Sequence, residues 1–224
     1  MTRKANRESG SRRRSPYRSQ ATRFLVVCEG QTEMAYFRHV NGRLRGVGVA
    51  VRPVMDKSSA TDIVRAASQY KRGDPKRGID PDRYDEVWAV FDWDQNTEQV
   101  EKALIAAKRA DVNVALSNPS FEIWLLWHFA DYTRPGCVQR DVLKELRRYW
   151  ADFGKGSDLD FNRLPDHSAP DAIDRANRAA ERHRRQGTGF PDDRPSSRMA
   201  ELLTRIVDAW QKGSGQSRDS CPLF

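Results

Sequence analysis

The stretch FLVVCEGQTE, residues 24–33, places an apolar run directly before a glutamate and a glycine. The apolar residues 24–28 predict a buried parallel strand, and the pattern that follows predicts a helix as far as Gly46. Glu29 then lies at the carboxyl end of a strand, and Glu33 lies in the first helical turn. Because ligands of α/β proteins bind where such strands end, this layout is typical of an active site.

The same alternation of strand and helix continues as far as residue 130. The predicted strands are 24–28, 47–54, 86–91 and 112–116, and the predicted helices are 32–46, 61–70, 97–109 and 119–129. Asn118 is expected to cap the last of these helices, with Pro119 at its first position. Beyond residue 130 only helices are predicted, at 138–150, 171–185 and 196–210. The pattern favours an α/β fold with an open, mostly parallel sheet flanked by helices and a helical C-terminal part.

Four regions are predicted along the chain. They are a disordered basic tail (1–22), an α/β core (23–132), a helical extension packed on the core (133–211) and a flexible C-terminus (212–224). The net charge is +8, but residues 1–23 contain eight basic residues and one acidic residue, so the remainder carries about +1. The tail either binds nucleic-acid backbone without sequence preference or serves as a solubilising extension. The basic character therefore says little about the folded body.

Length and composition indicate a polar globular protein. The chain has 224 residues, and its mean hydropathy is −0.80. No apolar run approaches the roughly 20 residues of a membrane span, and the first residues do not resemble a secretory signal. Three cysteines without metal-type spacing are typical of reduced thiols. We therefore expect a cytoplasmic protein without a membrane segment.

Carboxylates follow three of the predicted strands. Glu29 follows the first strand, Asp92 and Asp94 follow the third, and Glu122 comes just after the fourth. The carboxyl ends of parallel strands meet at one edge, where several carboxylates repel one another unless a cation neutralises them. Oxygen ligands of this kind favour Mg²⁺ or Mn²⁺, which activate water and stabilise a phosphodiester during displacement.

Each of these acids also has a structural interpretation. Asp92 is in position to cap the helix that follows it. Glu33 and Glu122 each lie in a first helical turn, where a negative charge interacts favourably with the helix dipole. The convergence of several acids on one edge favours the metal site over these separate explanations.

Three phrases of the sequence together resemble one family. They are CEGQTE (28–33), VWAVFDWD (87–94) and SNPSFEIWLLWHF (117–129). They resemble the RloB family, which is found beside restriction–modification and other phage-defence genes. The resemblance covers about residues 24–210 and includes PSSRMAELL (195–203). RloB proteins look like divergent members of the Toprim superfamily, whose members hold Mg²⁺ between a glutamate and a DxD motif.

The resemblance implies roles for particular residues. Glu29 would be the acid/base or metal-proximal carboxylate, Asp92 and Asp94 would be metal ligands, and Gly30 would let backbone and substrate approach closely. Glu33 matches a second acid of Toprim nucleases, and Glu122 belongs to the family's own phrase. The implied activity is Mg²⁺- or Mn²⁺-dependent hydrolysis of DNA or RNA, tRNA included, in antiphage defence.

Basic residues outside the core suggest where nucleic acid binds. Lys155 lies in a glycine-flanked loop, and Arg175, Arg178 and Arg182 lie on one basic helix. An ordinary solvated surface explains both groups equally simply. Two other functions remain open: a non-catalytic subunit that binds nucleic acid or a partner ATPase, and phosphoryl transfer on nucleotides.

The remaining histidines and one cysteine have simpler interpretations. His128 is expected to pack or cap within the structure, and His167 and His183 are expected on the surface. Cys28 is expected to be buried beside Glu29.

Overall fold

The computed structural model describes residues 22–44, 47–53, 59–73, 80, 83–93, 96–154 and 159–224. Its elements are β1 (Arg23–Cys28), α1 (Gln31–Arg43), β2 (Gly48–Pro53), α2 (Ala60–Arg72), β3 (Glu86–Asp92), α3 (Thr97–Ala110), β4 (Asn113–Asn118), α4 (Glu122–Phe129), α5 (Gln139–Leu146), α6 (Ala169–Gln186), β5 (Ser196–Ser197) and α7 (Met199–Ser214). The helix predicted over 138–150 is shorter than expected, and β5 takes up the first residues of the one predicted over 196–210. Residues 1–21 of the predicted tail lie outside the described ranges.

The strands form one sheet in the order β2-β1-β3-β4-β5. The first four pair in parallel, whereas β5 pairs antiparallel with the end of β4 through Ser117 and Ser197. All four predicted strands are present with small shifts at their ends. The expected α/β fold with an open, mostly parallel sheet is therefore confirmed.

Helices cover both faces of the sheet, as the side chains of β1 show. Phe24, Val26 and Cys28 point into a core that also contains side chains of α1, α4, α5, α6 and α7. Leu25 and Val27 point the other way, into a second core with α2 and α3. A strand that is apolar on both faces is typical of a parallel sheet between helical layers. The C-terminal helices thus share a core with the strands.

Helix α4 is buried as its sequence predicts, but it begins later. Every residue from Glu122 to His128 is buried. Asn118 does not cap this helix, because β4 extends through it. Its Nδ2 donates instead to the carbonyl of Pro191 (3.0 Å) and to Oδ1 of Asp193 (2.7 Å). In the described part of the chain, no helix combines the length and apolarity needed to cross a bilayer.

Helix α6 has a different inward face from the predicted one. Ala172, Ile173 and Ala176 are buried as expected, but Ala179 is buried where Ala180 was predicted. His183 is also buried, so its predicted place on the surface is wrong. The reason is that α6 packs between α4 and α7, which covers a wider stripe than the apolar residues alone indicate.

The C-terminal residues pack against the body of the protein. Cys221 and Leu223 are buried in the core that contains α1. Nε of Arg43, in α1, donates to the carbonyl of Pro222 at 3.1 Å. This packing differs from the loose end predicted over 212–224.

Candidate active site

Two carboxylates meet where the neighbouring strands β1 and β3 end. Glu29 directly follows β1, and its backbone N–H donates to the carbonyl of Val90 at 3.1 Å. Asp92 is the last residue of β3, and its backbone N–H donates to Oε2 of Glu29 at 3.1 Å. Both residues are partly exposed, but Oδ1 of Asp92 is buried. The carboxylate of Glu29 is therefore held across the end of β3, beside Asp92.

Glu33 reaches this edge from the first turn of α1. Its side chain is only 5% exposed. A Cβ atom at position 30 would lie 2.6 Å from Oε2 of Glu33, well inside contact distance. A side chain at position 30 would therefore displace the Glu33 carboxylate, whereas the approach of a substrate at Gly30 stays a prediction.

Glu122 reaches the site from the start of α4. Its side chain is 3% exposed although it begins an otherwise apolar helix. Oε2 of Glu122 accepts a hydrogen bond from Nε2 of Gln139 at 3.2 Å. A buried carboxylate needs such a partner, because desolvation without hydrogen bonds costs several kcal/mol.

The electrostatics of Asp92 show that these groups form one cluster. Burial raises the pKa of Asp92 well above its usual range, and the carboxylates of Glu33, Glu122 and Glu29 raise it further. A hydrogen bond from the backbone of Phe121 opposes that rise. The structure thus brings together four of the five acids that the sequence singled out, and the fifth, Asp94, lies outside the described residues.

The structural alternative for Asp92 is wrong. The cap of α3 is Asn96, whose side chain accepts a hydrogen bond from the backbone N–H of Gln99 at 3.2 Å. Asp92 remains in the strand, facing the other carboxylates.

The chemistry of this edge suits a hard cation. Oδ1 of Asp92, Oδ1 of Asn118 and Oγ of Ser120 are buried oxygens without a hydrogen-bond partner among the described residues. Buried oxygens of this kind normally have a donor or a cation nearby. Within the described ranges, however, no three His, Cys, Asp or Glu side chains are arranged to hold a metal ion. The predicted ligand Asp94 lies outside those ranges.

Comparison with known proteins identifies the family. The family described as RloB-like protein matches residues 24–206, which is most of the chain. The chain belongs to the RloB-like family. No curated protein and no solved structure matches it significantly. Membership of the RloB-like family is thereby confirmed, whereas the relation to Toprim proteins, the nuclease activity and the role in defence stay predictions.

The matched region of this RloB-like protein also contains the predicted nucleic-acid-binding arginines. Arg175 is largely buried and donates to the carbonyl of Trp127, and it lies 3.5 Å from Asp131 and from Asp171. Arg178 is exposed and pairs with Asp131 and Asp174. These contacts give Arg175 a structural role.

For Arg182 and Lys155, the other two basic residues predicted to bind nucleic acid, no contact with the acidic residues of the site is seen in the described part of the chain. Arg182 lines an open groove on α6 together with Arg178, Arg185 and Glu181. Lys155 lies outside the described residues. The role of either residue in binding nucleic acid stays a prediction.

His128 and Cys28 are buried, as predicted. Nε2 of His128 lies 3.3 Å from the Tyr36 hydroxyl, and Nδ1 lies 2.8 Å from Oγ of Ser168. Burial, together with the positive charge of Arg175, lowers the pKa of His128 to about 3. His128 is therefore neutral at ordinary pH and connects α1, α4 and the start of α6.

Sequence reasoning did not identify two residues near the edge. Gln139 supports Glu122, but a glutamine at the start of a helix carries no signal of such a contact. Arg194 lies beside Trp93, with its guanidinium carbon 4.8 Å from the ring centroid. Its position directly before the family phrase PSSRMAELL was the available signal.

Proposed function

We propose that this RloB-like protein is a Toprim-type nuclease that depends on Mg²⁺ or Mn²⁺ and acts in defence against phage. The observation that carries the proposal is the cluster of Glu29, Glu33, Asp92 and Glu122 at the carboxyl edge of a parallel sheet, with the pKa of Asp92 raised by burial and by the other three. Such crowding destabilises the ionised cluster. Proteins maintain such arrangements at functional sites.

In the proposed hydrolysis, the acidic residues have different roles. Asp92, Asp94 and Glu122, with Glu29 beside them, would hold the metal ion, which when bound neutralises the phosphodiester and polarises its oxygens. Glu29 is partly exposed and fixed by the N–H of Asp92, so solvent reaches it. It is therefore placed to take a proton from an attacking water molecule. Glu33, buried in the first turn of α1, adds negative charge near Asp92.

The decisive experiment compares Glu29→Ala and Asp92→Ala with the parent protein. Each is incubated with labelled DNA, RNA, tRNA and nucleotides in the presence of Mg²⁺ or Mn²⁺. We expect both substitutions to abolish cleavage and to abolish the rise in melting temperature that Mn²⁺ gives the parent, because a bound ion stabilises the folded state. Glu181→Ala, which removes an exposed carboxylate of α6, is the matched control and should cleave normally.

Unchanged cleavage in both folded variants would refute the proposal, with circular dichroism as the check of folding. Turnover of nucleotides without cleavage of any nucleic acid would point to phosphoryl transfer on nucleotides instead.

A second candidate is a non-catalytic subunit of a defence complex that binds nucleic acid or an ATPase. It is favoured by the observation that no three potential ligands among the described residues are arranged around a metal ion. Absence of Mn²⁺ binding in calorimetry, together with stable co-purification of an ATPase encoded nearby, would support this candidate over the nuclease.

A further inference from the structure

The loop between α6 and β5, residues 187–195, is fixed beside the acidic edge. The side chain of Asn118, at the end of β4, holds this loop through the carbonyl of Pro191 and the carboxylate of Asp193. From the other side, the buried ring of His183 donates from Nε2 to the carbonyl of Pro195 at 3.1 Å. The loop is therefore anchored at both the sheet and α6.

This anchoring places Arg194 beside the end of β3, where Asp92 lies. Its guanidinium lies over the ring of Trp93, which directly follows Asp92. The charge of Arg194 also acts on Cys137, where it opposes the rise in pKa to about 11 that burial causes. Cys137 is two residues before Gln139, the hydrogen-bond partner of Glu122.

The guanidinium of Arg194 keeps donors that a ligand can use. Stacking on Trp93 uses the flat face of the group and leaves its N–H edges available. Nε is buried and has no acceptor among the described residues, so a ligand would contact the terminal Nη groups. The ion pair with Asp192 is long, at 3.8 Å, and the side chain of Asp192 is 78% exposed. By contrast, Arg184 on α6 donates two hydrogen bonds of 2.7 Å to Glu181.

We propose that Arg194 binds a phosphate group of the nucleic-acid strand at the rim of the acidic site. The inference rests on the proposed function, since it assigns the strand to the same edge. A cluster of carboxylates repels a phosphodiester, so a strand that lies across it needs a cation close by. An arginine with available N–H edges suits phosphate better than a lysine, because it donates two hydrogen bonds in one plane.

The test measures binding separately from cleavage. Labelled single-stranded DNA and RNA oligonucleotides are titrated in Ca²⁺, with fluorescence anisotropy as the readout, over a series of salt concentrations. We expect Arg194→Ala to weaken binding about ten- to a hundred-fold, as for loss of a hydrogen bond to a charged group. The negative slope of log K against log salt should become shallower by about 0.7, the value for one phosphate contact on a single strand. Arg194→Lys should restore the slope but only part of the affinity.

The matched control is Arg205→Ala. Arg205 also makes a single ion pair of 3.8 Å, but with Glu86 at the opposite end of β3. It should bind with the affinity and salt slope of the parent. A merely structural role of Arg194 would lower the melting temperature and leave the salt slope unchanged, which would overturn the inference.

The same measurements separate failure of this inference from failure of the nuclease proposal. If the parent protein binds oligonucleotides in an Arg194-dependent way but cleaves none, the nuclease proposal fails and the phosphate contact stands. If the parent cleaves and Arg194→Ala keeps the KM, kcat and salt slope of the parent, the phosphate contact is refuted and the nuclease proposal stands. If the parent binds no oligonucleotide, the contact is also refuted.

Discussion

Asp92 at the sheet edge and Glu181 on α6 are carboxylates whose surroundings shift their pKa in opposite directions. Burial and three neighbouring carboxylates raise the pKa of Asp92. Hydrogen bonds from Arg184 and Arg185 lower that of Glu181 to about 2. Glu181 lies on the paired surface of α6, where Asp174 and Glu181 form ion pairs with arginines. Asp92, by contrast, belongs to a cluster of like charges. Stability alone favours the first arrangement, and the second is of the kind that proteins maintain at functional sites.

The largest effect on stability is expected for Arg175→Ala. This substitution tests whether Arg175 is a structural residue or an ordinary member of the paired surface of α6. Arg175 is 16% exposed and bonds the carbonyl of Trp127 in addition to two aspartates. Its removal leaves a buried carbonyl without this donor, and we expect a loss of about 1.5–3 kcal/mol in the free energy of unfolding. Urea denaturation measures this loss. A loss no greater than that of Arg178→Ala would show that Arg175 is an ordinary surface residue.

A smaller effect of opposite sign is expected for Asp92→Asn in the absence of divalent cations. The pKa of Asp92 is raised on folding, so the folded state binds more protons, and the protein loses stability as pH rises from the unfolded pKa through the folded one. Asparagine is neutral at every pH. The variant should therefore gain more than the roughly 0.5 kcal/mol scatter of surface substitutions at neutral pH.

The gain from Asp92→Asn should disappear at a pH below the unfolded pKa of aspartate, about 3.9, where the parent is also neutral. Thermal melts across pH measure the difference between the two proteins. A variant less stable than the parent at neutral pH would show that the cluster is not strained by its charges.

The smallest effect is expected for Arg184→Ala on the paired surface. Arg184 and Glu181 are both exposed, and exposed ion pairs contribute little because water and salt screen them. We expect no measurable change in melting temperature and no change in cleavage. A clear loss of nucleic-acid binding in this variant, without loss of stability, would instead assign the α6 surface to the substrate.

The sequence predicted the fold well, because the strands are short apolar runs and the helices between them are amphipathic. It also predicted the gathering of Glu29, Asp92 and Glu122, since residues at the ends of adjacent parallel strands must lie near one another. These inferences depend on local pattern and on the general geometry of parallel sheets.

Features that depend on long-range packing were not predictable in the same way. Asn118 looked like a helix cap, but its side chain anchors a loop more than 70 residues later in the chain. Ala179 and Ala180 are chemically identical, so only the position of α4 and α7 decides which of them is buried. Cys221 and Leu223 lie in a short segment without periodicity, and nothing local indicates the core that covers them.

The glycine at position 30 is explained by the position of a neighbouring carboxylate rather than by its own backbone conformation. Its φ is −120°, extended backbone that any residue adopts, so the chain conformation alone does not demand glycine there. The constraint comes from Glu33, whose Oε2 lies 2.6 Å from the position of a Cβ at residue 30 and would have to move. As RloB-like sequences diverge, glycine at position 30 and glutamate at position 33 should therefore be kept or lost together. Co-variation at this pair would show in which RloB-like sequences the acidic site is kept, independently of whether the fold is kept.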